Sequence, residues 1–195
     1  MPPAGTDEIR EQIDNLQKEL TQKKRQLNEL RHSLPPEPVA EYRFINAEGR
    51  EAGLSDLFGD RRDLIVVHNM GKSCPYCTLW ADGFNGMVGH FTDRAVFVVV
   101  SPDPPDVQRQ FAESRGWTFD MWSPQDTRFL EDMKMAGEKG EPWPGVSVFK
   151  RQVDGSVVRT GYDYFGPGDY YCSIWHIMEL FPEGVAGWKP KWEYK

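Results

Sequence analysis

One stretch of this 195-residue sequence limits the possible folds more than any other. Residues 64–67 form a continuous run of strand-forming apolar side chains. His68 and a short loop follow, and Cys74-Pro75-Tyr76-Cys77 then opens a helical pattern. A strand apolar at every successive position is buried on both faces, so it lies inside a sheet covered by helices. Residues 95–100 repeat that character. Helical patterns at 75–91, 104–115 and 126–135 alternate with these runs and with a shorter strand at 118–122. Strands at 146–149 and 157–159 flank Asp154-Gly155, a hairpin signal, and 167–180 reads as a closing helix. Upstream, 41–45 and the turn at 48–50 predict a small hairpin, and 54–59 a helical turn ended by Gly59. The expected class is α/β, a mixed central sheet with helices on both faces.

Residues 6–34 have a different texture, without aromatic residues, Gly or Pro. Ile9, Ile13, Leu16, Leu20, Leu27, Leu30 and Leu34 recur in steps of four and three, with Lys23 at the one remaining seam position. This is a heptad seam. Thr6 is placed to cap the helix, Asp7 and Glu8 suit its positive end, and Pro35, Pro36 and Pro38 stop it. Two readings stand. The seam makes a homodimer through residues 6–34, or a single helix lies along its own domain by a narrow apolar stripe. The expected organisation is a helix and proline-rich linker at 1–38, the α/β domain at 39–182, and an aromatic but polar tail at 183–195 that packs on the body or a partner.

The formal charge of −7 and pI near 5.2 argue against nucleic acid or an anionic membrane as partner. The longest apolar run, 95–100, falls far short of the ~20 residues that span a bilayer. The first residues lack the apolar core of a secretory signal, so the cytoplasm is the expected location. Three cysteines are too few, and odd in number, for a disulfide scaffold.

The Cys74–Cys77 pair carries the chemistry. A cysteine at a helix N-terminus faces unsatisfied N–H groups and the positive end of the helix dipole, which favour thiolate over thiol. Pro75 is tolerated at the first helical turn. Cys74 is therefore the expected nucleophile, and Cys77, one turn inside, the residue that resolves a mixed disulfide. Two other uses of the pair stand beside this one. The thiols are half of a zinc site, or a buried pair with no chemistry. Zinc needs two more ligands from Cys172, His68, His90, His176 or His32. None of these is paired at a short ligand spacing, so no metal or other cofactor is expected.

The segment from Leu64 through Cys77 resembles the first core strand and active-site helix of the thioredoxin-like superfamily. Trp143-Pro144-Gly-Val-Ser-Val-Phe149 resembles the segment that holds its cis-proline. The resemblance implies a thioredoxin-like mixed sheet, and it implies that Pro144 packs beside the cysteines and docks the substrate backbone, with Trp143 next to it. A plain loop proline is the alternative for Pro144. Residues 54–59 and 122–126 are similar to the alkyl hydroperoxide reductase/thiol-specific antioxidant branch. Cys-Pro-x-Cys-x-x-Trp-Ala-Asp-x-Phe-Asn-Gly, here residues 74–86, resembles an uncharacterised bacterial thioredoxin-like family, and the likeness covers about residues 40–182.

The chain also departs from these relatives. Peroxiredoxins carry a threonine three residues before the attacking cysteine, where Gly71 stands. Thioredoxins carry a buried acid six residues before the first cysteine, where His68 stands. An imidazole there is placed to take the Cys77 proton near pH 7; a buried neutral histidine bonded to a carbonyl is the alternative. The Pro75-Tyr76 dipeptide is the one glutaredoxins use, a class with potentials around −200 to −230 mV. Tyr76 and Trp80 are candidate walls of the site, with core packing as the alternative for Trp80. Asp82 is a helix-face carboxylate or an acid behind the site. Lys72 is a solvated loop lysine, or a cation beside Cys74. Cys172 is a distant resolving thiol or a small core residue.

The expected function is thiol–disulfide exchange on a protein or small-molecule disulfide. The alternatives are a peroxiredoxin-like thiol peroxidase, and a non-catalytic binding or scaffold module that keeps the fold.

Overall fold

The computed structural model describes residues 5–126 and 128–194. The chain divides into two compact units, one up to Pro36 and one from Glu37 onward.

The first unit is α1 (Thr6–Ser33). Gly5 in the left-handed conformation precedes it and Thr6 is its first helical residue, so Thr6 is not the cap that the sequence predicts. Leu34 turns extended ahead of the prolines. The seam side chains are exposed, from Leu27 at 44% to Leu30 at 68%.

The second unit is built on an eight-stranded sheet. In chain order the strands are β1 (Glu37–Pro38), β2 (Arg43–Asn46), β3 (Glu51–Gly53), β4 (Asp63–His68), β5 (Val96–Val100), β6 (Asp120–Pro124), β7 (Gly145–Arg151) and β8 (Val157–Tyr164). Their spatial order is β1-β8-β7-β4-β5-β6-β2-β3. The central β4, β5 and β6 are parallel, and every other pairing is antiparallel. The β2–β3 hairpin therefore extends one edge through β6. At the other edge, the first two residues of the unit add a short strand to β8.

The helices are α2 (Pro75–Asn85), α3 (Val88–Arg94), α4 (Pro105–Arg115), α5 (Phe129–Asp132) and α6 (Ser173–Met178), with a 3-10 turn at Asp56–Phe58. The pattern at 75–91 that reads as one helix is broken at Gly86–Met87 into α2 and α3. The segment expected as a helix over 126–135 keeps only the turn of α5, and its Thr127 lies outside the described residues. The closing helix is shorter than its pattern. Gly166 and Gly168 bracket Pro167, and the Asp169 carboxylate ties up the N–H groups of Gly166, Tyr171 and Cys172, so helix begins only after Cys172.

The sheet covers are unequal. One face packs Phe44, Leu54, Phe58, Leu64, Val66, Val98, Phe129 and Phe149 under the 3-10 turn and α5. The other packs Val67, Phe97 and Val99 beneath α2, α4 and α6, through Cys77, Trp80, Phe84, Phe111 and Trp175. Adjacent residues of β4 go to opposite faces, as the two-residue period of a strand requires. That alternation decides the fate of His68.

Candidate active site

Cys74 is the N-cap residue of α2, extended at φ −101°, with Pro75 at the first helical position. The Cys77 N–H donates to the Cys74 sulfur at 3.2 Å. The Cys77 thiol also bonds to the Cys74 sulfur, and with the N–H groups of Cys77 and Tyr76 it outweighs burial and brings the Cys74 thiol down to about 6. Cys77 is buried, at 2% exposure. Its bond to Cys74 and its burial push its own thiol well above the usual range. Both cysteines are free, so this is the dithiol form. The two sulfurs are thus unlike in the way a nucleophile and a resolving thiol must be.

The loop ahead of Cys74 is held by a bonded chain that the sequence gives little sign of. The Asn69 N–H reaches the Val100 carbonyl at 2.8 Å, and the Asn69 carboxamide oxygen accepts from the Gly71 N–H at 2.8 Å. Lys72 N–H donates to the Asp103 carboxylate at 2.6 Å, and Asp103 N–H donates to the Ser101 hydroxyl at 3.3 Å. Buried Gln108 joins Ser101 to the Trp122 carbonyl. Gly71 sits at φ +100°, and a Cβ there would lie 2.8 Å from an Asp103 carboxylate oxygen. That is the peroxiredoxin threonine's place, and a side chain there would be strained by the backbone conformation and crowded by Asp103. Asp103 had one faint sequence signal, its position at the end of a buried parallel strand, where sites of such sheets gather.

The structure does not bring His68 to the thiols, which corrects its assignment as a base. Val67 faces the cluster that contains Cys77; His68, the next residue, points through the opposite face. Its ring stacks on Phe129 at 5.6 Å, and Nε2 lies 2.9 Å from the Ser147 hydroxyl. Complete burial, with the Arg159 charge nearby, lowers its pKa to about 3, so it stays neutral. Among the described residues its Nδ1 has no partner.

Pro144 precedes Gly145, which is paired with His68 at the end of β4, so it stands beside the strand end from which the cysteine loop departs. Its carbonyl accepts from Phe165 N–H at 2.9 Å. The Trp143–Pro144 bond is trans, not the cis bond of the segment it resembles. Trp143 turns its ring onto Tyr164, centroids 5.8 Å apart. Tyr76 stacks on Trp175 at 6.1 Å and lies 6.3 Å from Trp80. Trp80 is a core residue, 3% exposed, against Phe165.

The rest of the 74–86 motif fastens α2. Asp82 accepts from the Arg115 guanidinium and, at 2.8 Å, from the Trp117 indole N–H. Asn85 donates to the Gly116 carbonyl at 3.0 Å and accepts from Thr118 N–H at 2.8 Å. The Cys74 carbonyl accepts from the Thr78 hydroxyl at 3.1 Å. Cys172 is buried in the same cluster as Cys77 and its thiol is raised by that burial. Among the described residues no group of three His, Cys, Asp or Glu side chains is arranged to hold a metal ion. No helix there is long and apolar enough to cross a membrane.

Residues 7–192 match the family described as "Bacterial protein of unknown function (DUF899)". The chain belongs to this family. No curated protein matches it. Among solved structures it is similar to a peroxiredoxin-like protein from Aquifex aeolicus, with TM-score 0.53 and 18% identity over 66% of this chain and 74% of that one. It is also similar to peroxidoxin BcpB from Mycobacterium tuberculosis, with TM-score 0.52 and 23% identity over 66% and 84%. A Bacteroides vulgatus protein with a provisional thiol-disulfide oxidoreductase assignment gives TM-score 0.52 and 16% identity over 75% and 95%. At these identities the likeness is one of fold, and the fold is thioredoxin-like. This DUF899 chain thus sets a Cys-Pro-Tyr-Cys turn at the carboxyl end of its central parallel strand.

Proposed function

We propose that this protein is a thiol–disulfide oxidoreductase in which Cys74 attacks and Cys77 resolves. The observation that carries the reading is the N-cap geometry, with the Cys77 thiol and N–H both aimed at a sulfur held near pKa 6 while Cys77 itself stays buried and protonated. At pH 7 that value leaves Cys74 roughly nine-tenths thiolate. The Cys74 thiolate attacks one sulfur of a disulfide R–S–S–R′. A mixed disulfide Cys74–S–S–R forms, and R′–S⁻ leaves and takes a proton. Cys77 then loses its proton and attacks the Cys74 sulfur, releasing R–SH. The substrate has gained two electrons and two protons, and the protein holds the Cys74–Cys77 disulfide; the steps run backward when the protein oxidises a dithiol. Bonding of Cys74 into the mixed disulfide removes the negative neighbour that raises Cys77. Met70 N–H, 3.4 Å from the Cys77 sulfur, supports the thiolate that then forms. The proposed setting is the cytoplasm, whose thiol pool keeps such pairs available as dithiols.

Gly71 and Asp103 weigh against the peroxidase reading, since position 71 carries no hydroxyl to orient a peroxide and a side chain there would be strained and crowded. The test is turnover of insulin disulfide and of a small aromatic disulfide, with the potential of the pair measured alongside. Cys74→Ser should abolish turnover, and Cys77→Ser should trap a mixed disulfide on Cys74. A protein that reduces or oxidises neither substrate, yet folds with both thiols free, is not an oxidoreductase.

A further inference from the structure

The C-terminal segment returns to the mouth of the site. The Trp188 ring packs on Trp175 of α6 with centroids 5.8 Å apart, and Trp175 stacks on Tyr76, between the two cysteines, at 6.1 Å. Pro190 is buried. Trp192 then donates its indole N–H to the Lys72 carbonyl at 3.1 Å, two residues before Cys74. The Trp192 carbonyl accepts from Arg115 Nη1 at 2.6 Å, and the same guanidinium is paired with Asp82 on α2. The segment is thus anchored on α6, on the cysteine loop and on α4.

The Trp192 ring is not a core side chain. It is 46% exposed, although its N–H is satisfied and its backbone is pinned. A bulky ring whose N–H is bonded and whose backbone is pinned cannot swing aside without breaking those bonds, so it acts as a fixed obstacle. This ring is fixed to the loop that presents Cys74. The loop that presents Cys74 thus carries the Trp192 anchor at Lys72, and it departs from the end of β4 that pairs with Gly145, the residue after Pro144.

We propose that Trp192 is a specificity-determining residue. It walls the approach to Cys74, admitting low-molecular-weight disulfides and extended peptide disulfides and turning away disulfides set in a folded surface. This deepens the oxidoreductase reading by naming its substrate class, and it rests on that reading for turnover but not for access.

The experiment uses the full reduced chain with Cys172→Ser, so that Cys74 is the reactive thiol, and compares Trp192 with Trp192→Ala and Trp192→Phe. Cys74 is labelled with N-ethylmaleimide and with a polyethylene-glycol maleimide, which share one reactive group and differ in bulk. Trp192→Ala should raise the bulky reagent's rate by about tenfold, about 1.4 kcal/mol off its barrier, and leave the small reagent's nearly unchanged. Trp192→Phe keeps the ring without its anchor and should fall between. With turnover as readout, Trp192→Ala should raise kcat/KM for insulin relative to the small aromatic disulfide. Equal acceleration of both maleimides, or none, overturns the wall. A shifted maleimide ratio in a protein that turns over no disulfide would uphold the wall and sink the oxidoreductase reading.

Discussion

The Asp103 carboxylate stands where a side chain at position 71 would have to go: a Cβ on Gly71 would lie 2.8 Å from one carboxylate oxygen and 2.9 Å from the other. Asp103 cannot retreat freely, because Lys72 N–H and the Ser101 hydroxyl hold it. Gly71→Thr, which would restore the peroxiredoxin residue, should cost about 1–3 kcal/mol through the positive φ alone. The loss is read as a lower denaturant midpoint at unchanged slope. Peroxide consumption should not rise; a variant that consumes peroxide faster than the parent would reverse our view of this loop.

Cys74 should dominate alkylation of the reduced protein, with a midpoint near pH 6, while Cys77 lags because its bond to Cys74 and its burial raise it, and Cys172 because burial does. The linkage to stability has a definite sign. The Cys74 thiol is lower in the folded protein than its ordinary value of 9.0, so between about pH 6 and 9 the unfolded chain binds more protons and stability rises with pH. The contribution is complete above pH 9 and lost as pH falls through 6. Relative to Cys74→Ser, urea unfolding should show that rise; a flat difference would mean that the thiolate is not stabilised by the fold.

His68→Asn should resolve a Cys74 mixed disulfide at the parent rate at pH 6, 7 and 8, since the imidazole lies on the far face of the sheet. Its effect belongs to acid stability. His68 is neutral in the fold, with its pKa lowered to about 3 from 6.5, so the unfolded chain binds one more proton between those values. Stability falls as pH drops through that window, by up to about 1.4 kcal/mol per pH unit. His68→Asn costs packing against Phe129 at every pH but should flatten this acid limb. An unchanged limb would mean that His68 titrates normally.

For α1 we propose a second copy of this chain as the partner. With Ile9 at a d position, Glu19 falls at g and Lys24 at e, the pairing across parallel coiled coils, and Lys23 is the single charged layer. Light scattering should give a dimer for the whole chain and a monomer for a chain lacking residues 1–36. Lys23→Leu should lower the concentration at which the dimer forms. A mass unchanged by the deletion would leave the helix without this role.

The strands and the cysteine turn were legible because periodicity and helix-end chemistry are local. Residues 64–67 and 95–100 declared themselves, and Pro75 marked the start of α2. What the sequence hid depends on partners distant in the chain. The break at Gly86–Met87 interrupts a pattern that stays amphipathic through it. The short α6 follows from one aspartate capping three N–H groups. His68 misled because its place in the order matched an acid of related proteins, while the face it occupies is set by one-residue alternation along β4. Asp103, Arg115 and Trp192 became visible as neighbours of the site only once the loop, α4 and the tail were folded together.

The Cys77 N–H bond to the Cys74 sulfur exists in full strength in one oxidation state only. A disulfide sulfur is a far poorer acceptor than a thiolate, so oxidation leaves the first turn of α2 with a donor that nothing satisfies as well. On that ground the reduced protein should be the more stable of the two, and turnover of the kind proposed would alternately tighten and slacken the helix that carries the pair. By the same cycle the pair should draw electrons more strongly than an unstructured dithiol, because folding would favour the state that has accepted them.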